Sequence, residues 1–140
     1  MAFISISITK NHPLILGKGG FGRQLADWLS AEGWGEAEFL DDNAPGCAGG
    51  LRDYADPKLL KPGRPAFVAL GDNPLRVELL QKLAAAGYNT PVFISDMAAV
   101  SPSAVLEPGC VILPQAYVGA DAHLGVGCII NGGAIVDHEA

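Results

Sequence analysis

The feature that most constrains this chain is a six-residue repeat in its last third. An aliphatic residue occupies every sixth position, in the series Val100, Leu106, Ile112, Val118, Leu124, Ile130 and Val136. Four places after each of these comes a small residue, in the series Ala104, Cys110, Ala116, Ala122, Cys128, Ala134 and Ala140. An α-helix needs a period of about 3.6 residues and a strand a period of about 2, so neither fits. The period predicts a left-handed parallel β-helix of hexapeptide repeats, in which three hexads make one coil and residues 18 apart stack.

The predicted β-helix covers residues 98–140 and is expected to be incomplete. A repeat array needs a cap over its last coil, and Ala140 cannot supply one. The chain is therefore expected either to be a fragment or to cover its open end with oligomer contacts. Cys110 and Cys128 lie one coil apart, and we expect them to stack as two reduced core residues.

The pattern before the repeat alternates short apolar strands with amphipathic helices. Strands are predicted at residues 14–16, 37–40, 66–70 and 91–94, with helices ending near Gly33 and Gly87. This order predicts a small α/β Rossmann-like domain with a parallel sheet over residues 13–97. Residues 1–12 form an N-terminal extension, whose alternating residues 3–8 predict an added edge strand.

Composition and missing sequence signals argue against nucleic-acid partners, a membrane span, secretion and a metal site. The net charge of -6 argues against nucleic acid. No apolar run approaches the ~20 residues of a membrane span, and no signal peptide precedes the first strand, so a cytoplasmic location is predicted. The three cysteines suit a reducing compartment and show no metal-ligand spacing, so no metal site is predicted.

Three predicted loops meet at the carboxyl edge of the parallel sheet. The first contains Gly17, Gly19 and Gly22 between a strand and a helix, a spacing that favours phosphate binding but also suits a tight turn without a ligand. Asp41 ends the second strand, where a carboxylate can accept hydrogen bonds from a ribose or base edge, or can simply be solvated. A third loop, beginning at Gly71, lies at the same edge.

His138 lies between two carboxylates, Asp137 and Glu139, at a position without an aliphatic slot. An outward histidine beside a carboxylate has the arrangement of a general base, although a solvated surface histidine fits the spacing equally well. His12 and His123 are interpreted as surface residues, the latter without a paired acid.

Four motifs together resemble the bacterial sugar acetyltransferases of the sialic acid O-acetyltransferase (NeuD/PglD-like) family. They are Gly17-Lys18-Gly19-Gly20-Phe21-Gly22, Leu40-Asp41-Asp42, Leu70-Gly71-Asp72-Asn73, and Asn131 followed by Asp137-His138-Glu139. The resemblance implies a domain that binds a UDP-sugar and a β-helix that binds acetyl-CoA as co-substrate and assembles as a homotrimer.

The resemblance also implies a role for each matching residue. Residues 17–22 would hold the nucleotide phosphates, Asp41 and Asp42 the uridine end, and residues 71–73 further parts of the nucleotide sugar. His138 would be the general base, oriented by Glu139 or Asp137, with Asn131 nearby.

The implied activity is acetyl-CoA-dependent N-acetylation of a UDP-4-amino-sugar in bacterial glycan biosynthesis. Two alternatives stay open at this point: O-acetylation of sialic acid or another sugar, and a non-catalytic nucleotide-sugar-binding module. Family members continue further in the solenoid, so most of the acetyl-CoA site is expected to lie outside this chain, which by itself is expected to be inactive.

Overall fold

The computed structural model describes residues 12–140, which divide into two units, the first ending at Thr90 and the second beginning at Pro91. The edge strand predicted at residues 3–8 lies outside the described residues. None of the helices in residues 12–140 is long and apolar enough to cross a membrane.

The first unit is built on a three-stranded parallel sheet. Its strands are β1 (Leu14–Leu16), β2 (Glu38–Leu40) and β3 (Ala66–Val68), in the spatial order β2-β1-β3. Ile15 pairs with Phe39 on one side and with Phe67 on the other. All three residues of β1 are fully buried, as expected for a central strand covered on both faces. The predicted parallel α/β architecture is confirmed.

Two helices cover this sheet. α1 (Gly20–Ala31) connects β1 to β2, and α2 (Asn73–Ala86) follows β3. After α2 the chain pairs beside the start of β3 through a parallel bridge between Pro65 and Asn89. Because the two right-handed crossovers move in opposite directions from the centre of the sheet, α1 and α2 lie on opposite faces. α2 ends at Gly87, in the left-handed conformation (φ 112°), where the sequence predicted its end.

The second unit consists of two-residue strands that stack at an interval of 18 residues. They are β4 (Phe93–Ile94), β5 (Ala99–Val100), β6 (Val105–Leu106), β7 (Val111–Ile112), β8 (Tyr117–Val118), β9 (His123–Leu124), β10 (Ile129–Ile130) and β11 (Ile135–Val136). They form three parallel sheets, β4-β7-β10, β5-β8-β11 and β6-β9. These are the three sides of the predicted β-helix, which is confirmed.

The structure corrects the assignment of one strand. The sequence predicts that residues 91–94 complete the sheet of the first unit, but Phe93 pairs with Val111 and Ile94 with Ile112 in the β-helix. Ile94 precedes Val100 by six residues, so this strand is in phase with the repeat and extends it by one hexad. A short apolar run suits either sheet when taken alone, and only its pairing decides.

The interior of the β-helix contains the two predicted series. All seven aliphatic residues from Val100 to Val136 belong to one apolar cluster, together with most of the small residues. Cys110 and Cys128 are free thiols. Burial raises the pKa of the Cys110 thiol to about 11, and its S–H group donates to the carbonyl of Gly125 at 3.1 Å, so this thiol stays protonated.

The corners of the β-helix are tight turns, and from Gly109 onward each contains a left-handed residue. Positive φ recurs every six residues at Gly109, Gln115, Asp121, Gly127, Gly133 and Glu139. Pro108 and Pro114 directly precede two of them, and the N–H of Ala116 donates to the carbonyl of Leu113 across one corner. These are the features of type II turns, which favour proline at their second residue. The repeated prolines therefore mark corners.

A charge in the β-helix core should unfold the second unit. Ile112 is fully buried, so Ile112→Asp replaces an aliphatic contact by an unpaired buried carboxylate and should lower the free energy of unfolding by about 4 kcal/mol or more. Ile135→Asp is the matched control, because Ile135 is 76% exposed and should tolerate the change. Urea denaturation followed by circular dichroism measures both. Equal losses in the two variants would contradict the core assignment.

Candidate functional site

The glycine loop after β1 is shaped by two close backbone approaches. A Cβ atom at Gly17, whose φ is 103°, would lie 2.7 Å from the carbonyl oxygen of Ala69 and 2.8 Å from Cδ2 of Leu70. A Cβ atom at Gly22 would overlap the carbonyl oxygen of Gly17. These two glycines let the loop after β1 pack against both α1 and the end of β3.

Gly19 and Gly20 instead face open space. A Cβ atom on either would meet no atom within 4 Å other than those of the adjacent backbone. Gly19 precedes the first turn of α1, and no side chain caps the backbone N–H groups there. Uncapped N–H groups at a helix N-terminus, next to a loop without side chains, suit a phosphate. Phe21 lies in this first turn and is half-buried.

Lys18 and Asp41 fasten the glycine loop to the loop after β2. The Asp41 carboxylate accepts from the backbone N–H groups of Lys18 (2.8 Å), Asn43 (2.8 Å) and Ala44 (3.1 Å). The hydrogen bond from the Lys18 N–H is the main reason why the pKa of Asp41 lies below its ordinary value. The Lys18 Nζ atom donates to the carbonyl of Pro45 at 2.9 Å. Both charged groups thus make bonds within the protein that shape the loops.

Asp42 and its neighbours order the rest of the second loop. The Asp42 Oδ1 atom accepts from the N–H of Leu51 at 2.9 Å, and Asp53 accepts from the N–H of Gly50 at 2.7 Å. Asp53 begins a single 3₁₀ turn, Asp53–Ala55, in the segment between β2 and β3.

The third loop, residues 70–73, is organised by two side chains. Asp72 caps α2 by accepting from the N–H of Leu75 at 2.9 Å. Arg76 donates to the carbonyl of Leu70 and to Oδ1 of Asn73, both at 2.7 Å. Gly71 has no atom within 4 Å of a built Cβ, so the loop is open at this point.

Arg76 is the residue of this edge that the sequence reasoning missed. It is only 7% exposed and lies on the buried face of α2 with Leu79, Leu80 and Leu83. These leucines follow Arg76 at helical spacings of three, four and seven residues. The sequence pattern that could have identified Arg76 is therefore an arginine on the same helix face as an apolar stripe. Buried arginines are rare unless they are paired.

The structure thus brings the three predicted loops to one edge of the sheet. Gly17 contacts Ala69 and Leu70, and Lys18 is bonded to Asp41. In the strand order β2-β1-β3, the chain leaves β1 in one direction and returns on the other side as β3. The carboxyl edge at such a switch point is where parallel sheets bind ligands. A cleft of about 700 Å³ beside α1 and β2 includes Gly20 but none of the other predicted residues.

In the second unit, His138 lies in the last described corner of the β-helix. The corner runs from Asp137 to Ala140, with Glu139 at φ 61° and its N–H bonded to the carbonyl of Ala120 one coil below at 2.8 Å. Glutamate rarely adopts a positive φ, so this corner holds Glu139 in a strained conformation. Gln115 and Asp121 have the same positive φ at equivalent corners, so this conformation belongs to the repeat and does not by itself mark a site.

The histidine is oriented by one neighbouring carboxylate. Its Nδ1 atom lies 3.1 Å from Oε1 of Glu139, whereas Nε2 is 3.8 Å from Oδ1 of Asp137 and is not hydrogen-bonded to it. Asp137 Oδ1 instead accepts from the backbone N–H of His138 at 2.7 Å. A proton on Nδ1, donated to Glu139, leaves the lone pair of Nε2 available to accept a proton. The imidazole is 67% exposed, so a substrate can reach it.

Asn131 lies at a different corner. It begins the preceding turn, in which its carbonyl accepts from the N–H of Ala134 at 3.0 Å. No hydrogen bond joins Asn131 to His138 within residues 12–140. The proximity of Asn131 to the histidine therefore stays a prediction, which no hydrogen bond within one chain supports.

The interpretation of His123 as a histidine without a paired acid is wrong. Its Nε2 atom lies 2.6 Å from Oε2 of Glu107. Val105 pairs with His123 one coil above, so Glu107, two residues further along, lies beside the ring. His12 is exposed, with Nδ1 3.3 Å from the carbonyl oxygen of Glu36, in agreement with its interpretation as a surface residue.

The model of the PglD N-terminal domain family matches residues 14–83, which are 70 of the 140 residues. The chain belongs to the PglD N-terminal domain family. The predicted resemblance is thereby confirmed, and the match covers the glycine loop, Asp41 and the loop before α2. No curated protein matches the chain.

Solved structures extend the similarity of this PglD-family chain into the β-helix. The acetyltransferase domain of PglB from Neisseria gonorrhoeae is 33% identical with a TM-score of 0.83, covering 93% of this chain and 66% of that one. The same domain in complex with acetyl coenzyme A gives a TM-score of 0.82 at 33% identity, over 94% and 66% of the two chains. A variant of GDP-perosamine N-acetyltransferase from Caulobacter crescentus, in complex with CoA and GDP-perosamine, is 29% identical with a TM-score of 0.79, over 91% and 63%. The chain thus spans just under two thirds of the length of these relatives.

The loop connection through Asp41 should contribute to stability in a pH-dependent way. Because its pKa is lowered in the folded state, the contribution is present above the ordinary value of 3.8 and is lost as the pH falls through the lower folded value. Asp41→Ala should lower the free energy of unfolding by about 1–2 kcal/mol at pH 7, and this difference should shrink below pH 3.8. Thermal denaturation at several pH values measures it. Asp27→Ala, at an exposed position on α1, is the control. An equal loss of stability in the two variants at pH 7 would contradict the role of the Asp41 hydrogen bonds.

Proposed function

We propose that this protein transfers the acetyl group of acetyl-CoA to the amino group of a nucleotide-linked 4-amino-sugar. One observation carries the proposal: the same chain combines the nucleotide loops of a PglD-family domain with a β-helix corner on which a carboxylate orients His138. The solved relatives support it, because one is an acetyltransferase domain in complex with acetyl coenzyme A and another an N-acetyltransferase in complex with CoA and GDP-perosamine.

The proposed role of His138 follows from its hydrogen bond. Glu139 holds the proton on Nδ1, so Nε2 accepts a proton from the sugar amine as its nitrogen attacks the thioester carbonyl. The C–N bond forms and the C–S bond breaks. The imidazolium of His138 then gives its proton to the thiolate of coenzyme A, which leaves as a thiol, and the neutral base is restored. Glu139 stabilises the imidazolium that exists between these proton transfers.

The nucleotide is proposed to bind at the carboxyl edge of the first unit. The diphosphate would lie against Gly19 and Gly20 at the N-terminus of α1, where the backbone is open. We propose a uridine nucleotide, on the family resemblance, whereas the structures of the Caulobacter relative contain GDP-perosamine. The loop ordered by Asp41 and Asp42 is the part of the site expected to discriminate between the two bases.

Calorimetric titration of the chain with UDP, GDP and NAD tests the nucleotide site. We expect UDP to bind more tightly than GDP. We expect NAD not to bind, because a dinucleotide-binding sheet is built from two mononucleotide-binding halves and this sheet has the size of one. Preferential binding of GDP would overturn the uridine assignment while retaining the nucleotide-sugar function. Binding of NAD alone would overturn both. Titration with acetyl-CoA tests whether this chain also contains enough of the co-substrate site for binding.

Removal of the proposed base should abolish turnover without disturbing nucleotide binding. In an assay of thiol release from acetyl-CoA with a UDP-4-amino-sugar as acceptor, His138→Ala should lower kcat by about 10²–10⁴ and leave the Kd for the nucleotide unchanged. His123→Ala is the matched control, because His123 is also an exposed histidine paired with a glutamate on the β-helix. Equal losses in the two variants would argue against a specific base at His138.

Two further properties are proposed from the resemblance. The first is a homotrimer, which would cover apolar side chains that one chain leaves exposed, such as Val105. Sedimentation would then give three times the 14.5 kDa of one chain. The second is a cytoplasmic location, which the three free cysteines support.

A further inference from the structure

The hydrogen bond between Arg76 and Asn73 fixes the direction of an amide group at the carboxyl edge of the sheet. Arg76 Nη2 lies 2.7 Å from the Asn73 side chain, and Nη1 lies 2.7 Å from the carbonyl oxygen of Leu70. A guanidinium group has donors only, so the amide atom that faces it must be the oxygen Oδ1. The Nδ2 atom of Asn73, with its two N–H donors, is then on the opposite side of the amide.

The Asn73 amide is fixed at its Oδ1 atom by Arg76, and its Nδ2 atom is left for a ligand. Arg76 is 7% exposed, and its two bonds to successive parts of the loop restrict its rotation. Asn73 is exposed at the first residue of α2, and no acceptor for Nδ2 is found within residues 12–140. An oriented amide with exposed donors can select a ligand group that accepts hydrogen bonds.

The position of Asn73 connects this amide to the glycine loop. Leu70, whose carbonyl receives Arg76, also contacts Gly17 through its side chain. Both helices begin at this edge, and backbone N–H groups at a helix N-terminus favour an anion. One extended ligand can therefore place a hydrogen-bond acceptor at Asn73 and a phosphate at Gly19 and Gly20.

We propose that Arg76 is a positioning residue that turns the Asn73 amide so that its N–H donors face an oxygen of the diphosphate group of the nucleotide sugar. This inference rests on the proposed function for the identity of the ligand. It assigns Asn73 as a donor to the diphosphate, and it assigns to the buried Arg76 a positioning role in addition to its bond to the loop.

The sharpest test is Asn73→Asp, which keeps the shape of the side chain and replaces both N–H donors by an acceptor. The carboxylate should still accept from Arg76, now as a charge-assisted bond in the first turn of a helix, so the melting temperature should be unchanged or higher. The Kd for UDP should nevertheless rise at least about tenfold, because a carboxylate then faces the phosphate. Asn89→Asp is the matched control, since it makes the same change beside the start of β3, at the amino edge of the sheet.

The orientation itself can be tested without any ligand, by a double-mutant cycle with Arg76→Met. The change in melting temperature caused by Asn73→Asp should be more favourable when Arg76 is present than in the Arg76→Met background, where the carboxylate keeps its place in the first turn of α2 but has lost the arginine. The single variant Arg76→Met should weaken UDP binding several-fold at a temperature at which it is fully folded, because the amide is then free to rotate.

The outcomes separate this inference from the proposed function. An unchanged Kd for UDP in Asn73→Asp would overturn the donor role of Asn73, and equal melting shifts in both backgrounds would overturn the orientation by Arg76. If the wild-type chain bound neither UDP nor GDP, the proposed function and the diphosphate contact would both fail. The cycle of melting temperatures would then still decide whether Arg76 orients Asn73.

Discussion

The second unit depends on one constraint, the stacking of each coil of the β-helix on the next at an interval of 18 residues. Backbone hydrogen bonds maintain it, such as those from Ser101 N–H to the carbonyl of Val118 (2.9 Å) and from Gly119 N–H to that of Val136 (2.8 Å). Because each coil must turn three times, a tight corner recurs every six residues, and from Gly109 to Glu139 each corner contains a residue in the left-handed conformation. His138 and Glu139 occupy such a corner, so the geometry of the candidate base is a consequence of the repeat.

In the first unit the comparable constraint is close backbone packing at the carboxyl edge. Gly17 and Gly22 permit it by lacking side chains, and charged residues then fasten the loops that meet there. Asp41 accepts three backbone N–H groups, and Arg76 donates to two acceptors of the third loop. These charges shape the edge from within, while Gly19, Gly20 and the amide of Asn73 remain open to a ligand. The loops of this edge are thus held in place by bonds within the protein, and their open donors are left for the proposed nucleotide sugar.

Much of this organisation could be predicted from the sequence, because its signals are local or periodic. The six-residue period indicated the β-helix and its inward residues, and Gly87 marked the end of α2. The glycine spacing located the loop after β1, although it did not show that Gly17 and Gly22 serve packing while Gly19 and Gly20 face open space. The strand Phe93–Ile94 was assigned to the wrong sheet, because a two-residue strand carries no record of its partner.

The sequence by itself determined the kind of fold, the order of its elements and the residues from which a site can be built. The tertiary structure decided which of these residues touch. It paired His123 with Glu107 across 16 residues, joined Lys18 to Asp41 across 23, and brought Gly17 against Ala69. The physical reason is that a hydrogen bond needs two groups within about 3 Å. For groups far apart in the chain, that distance is set by strand register and close packing, which no local pattern of residues encodes.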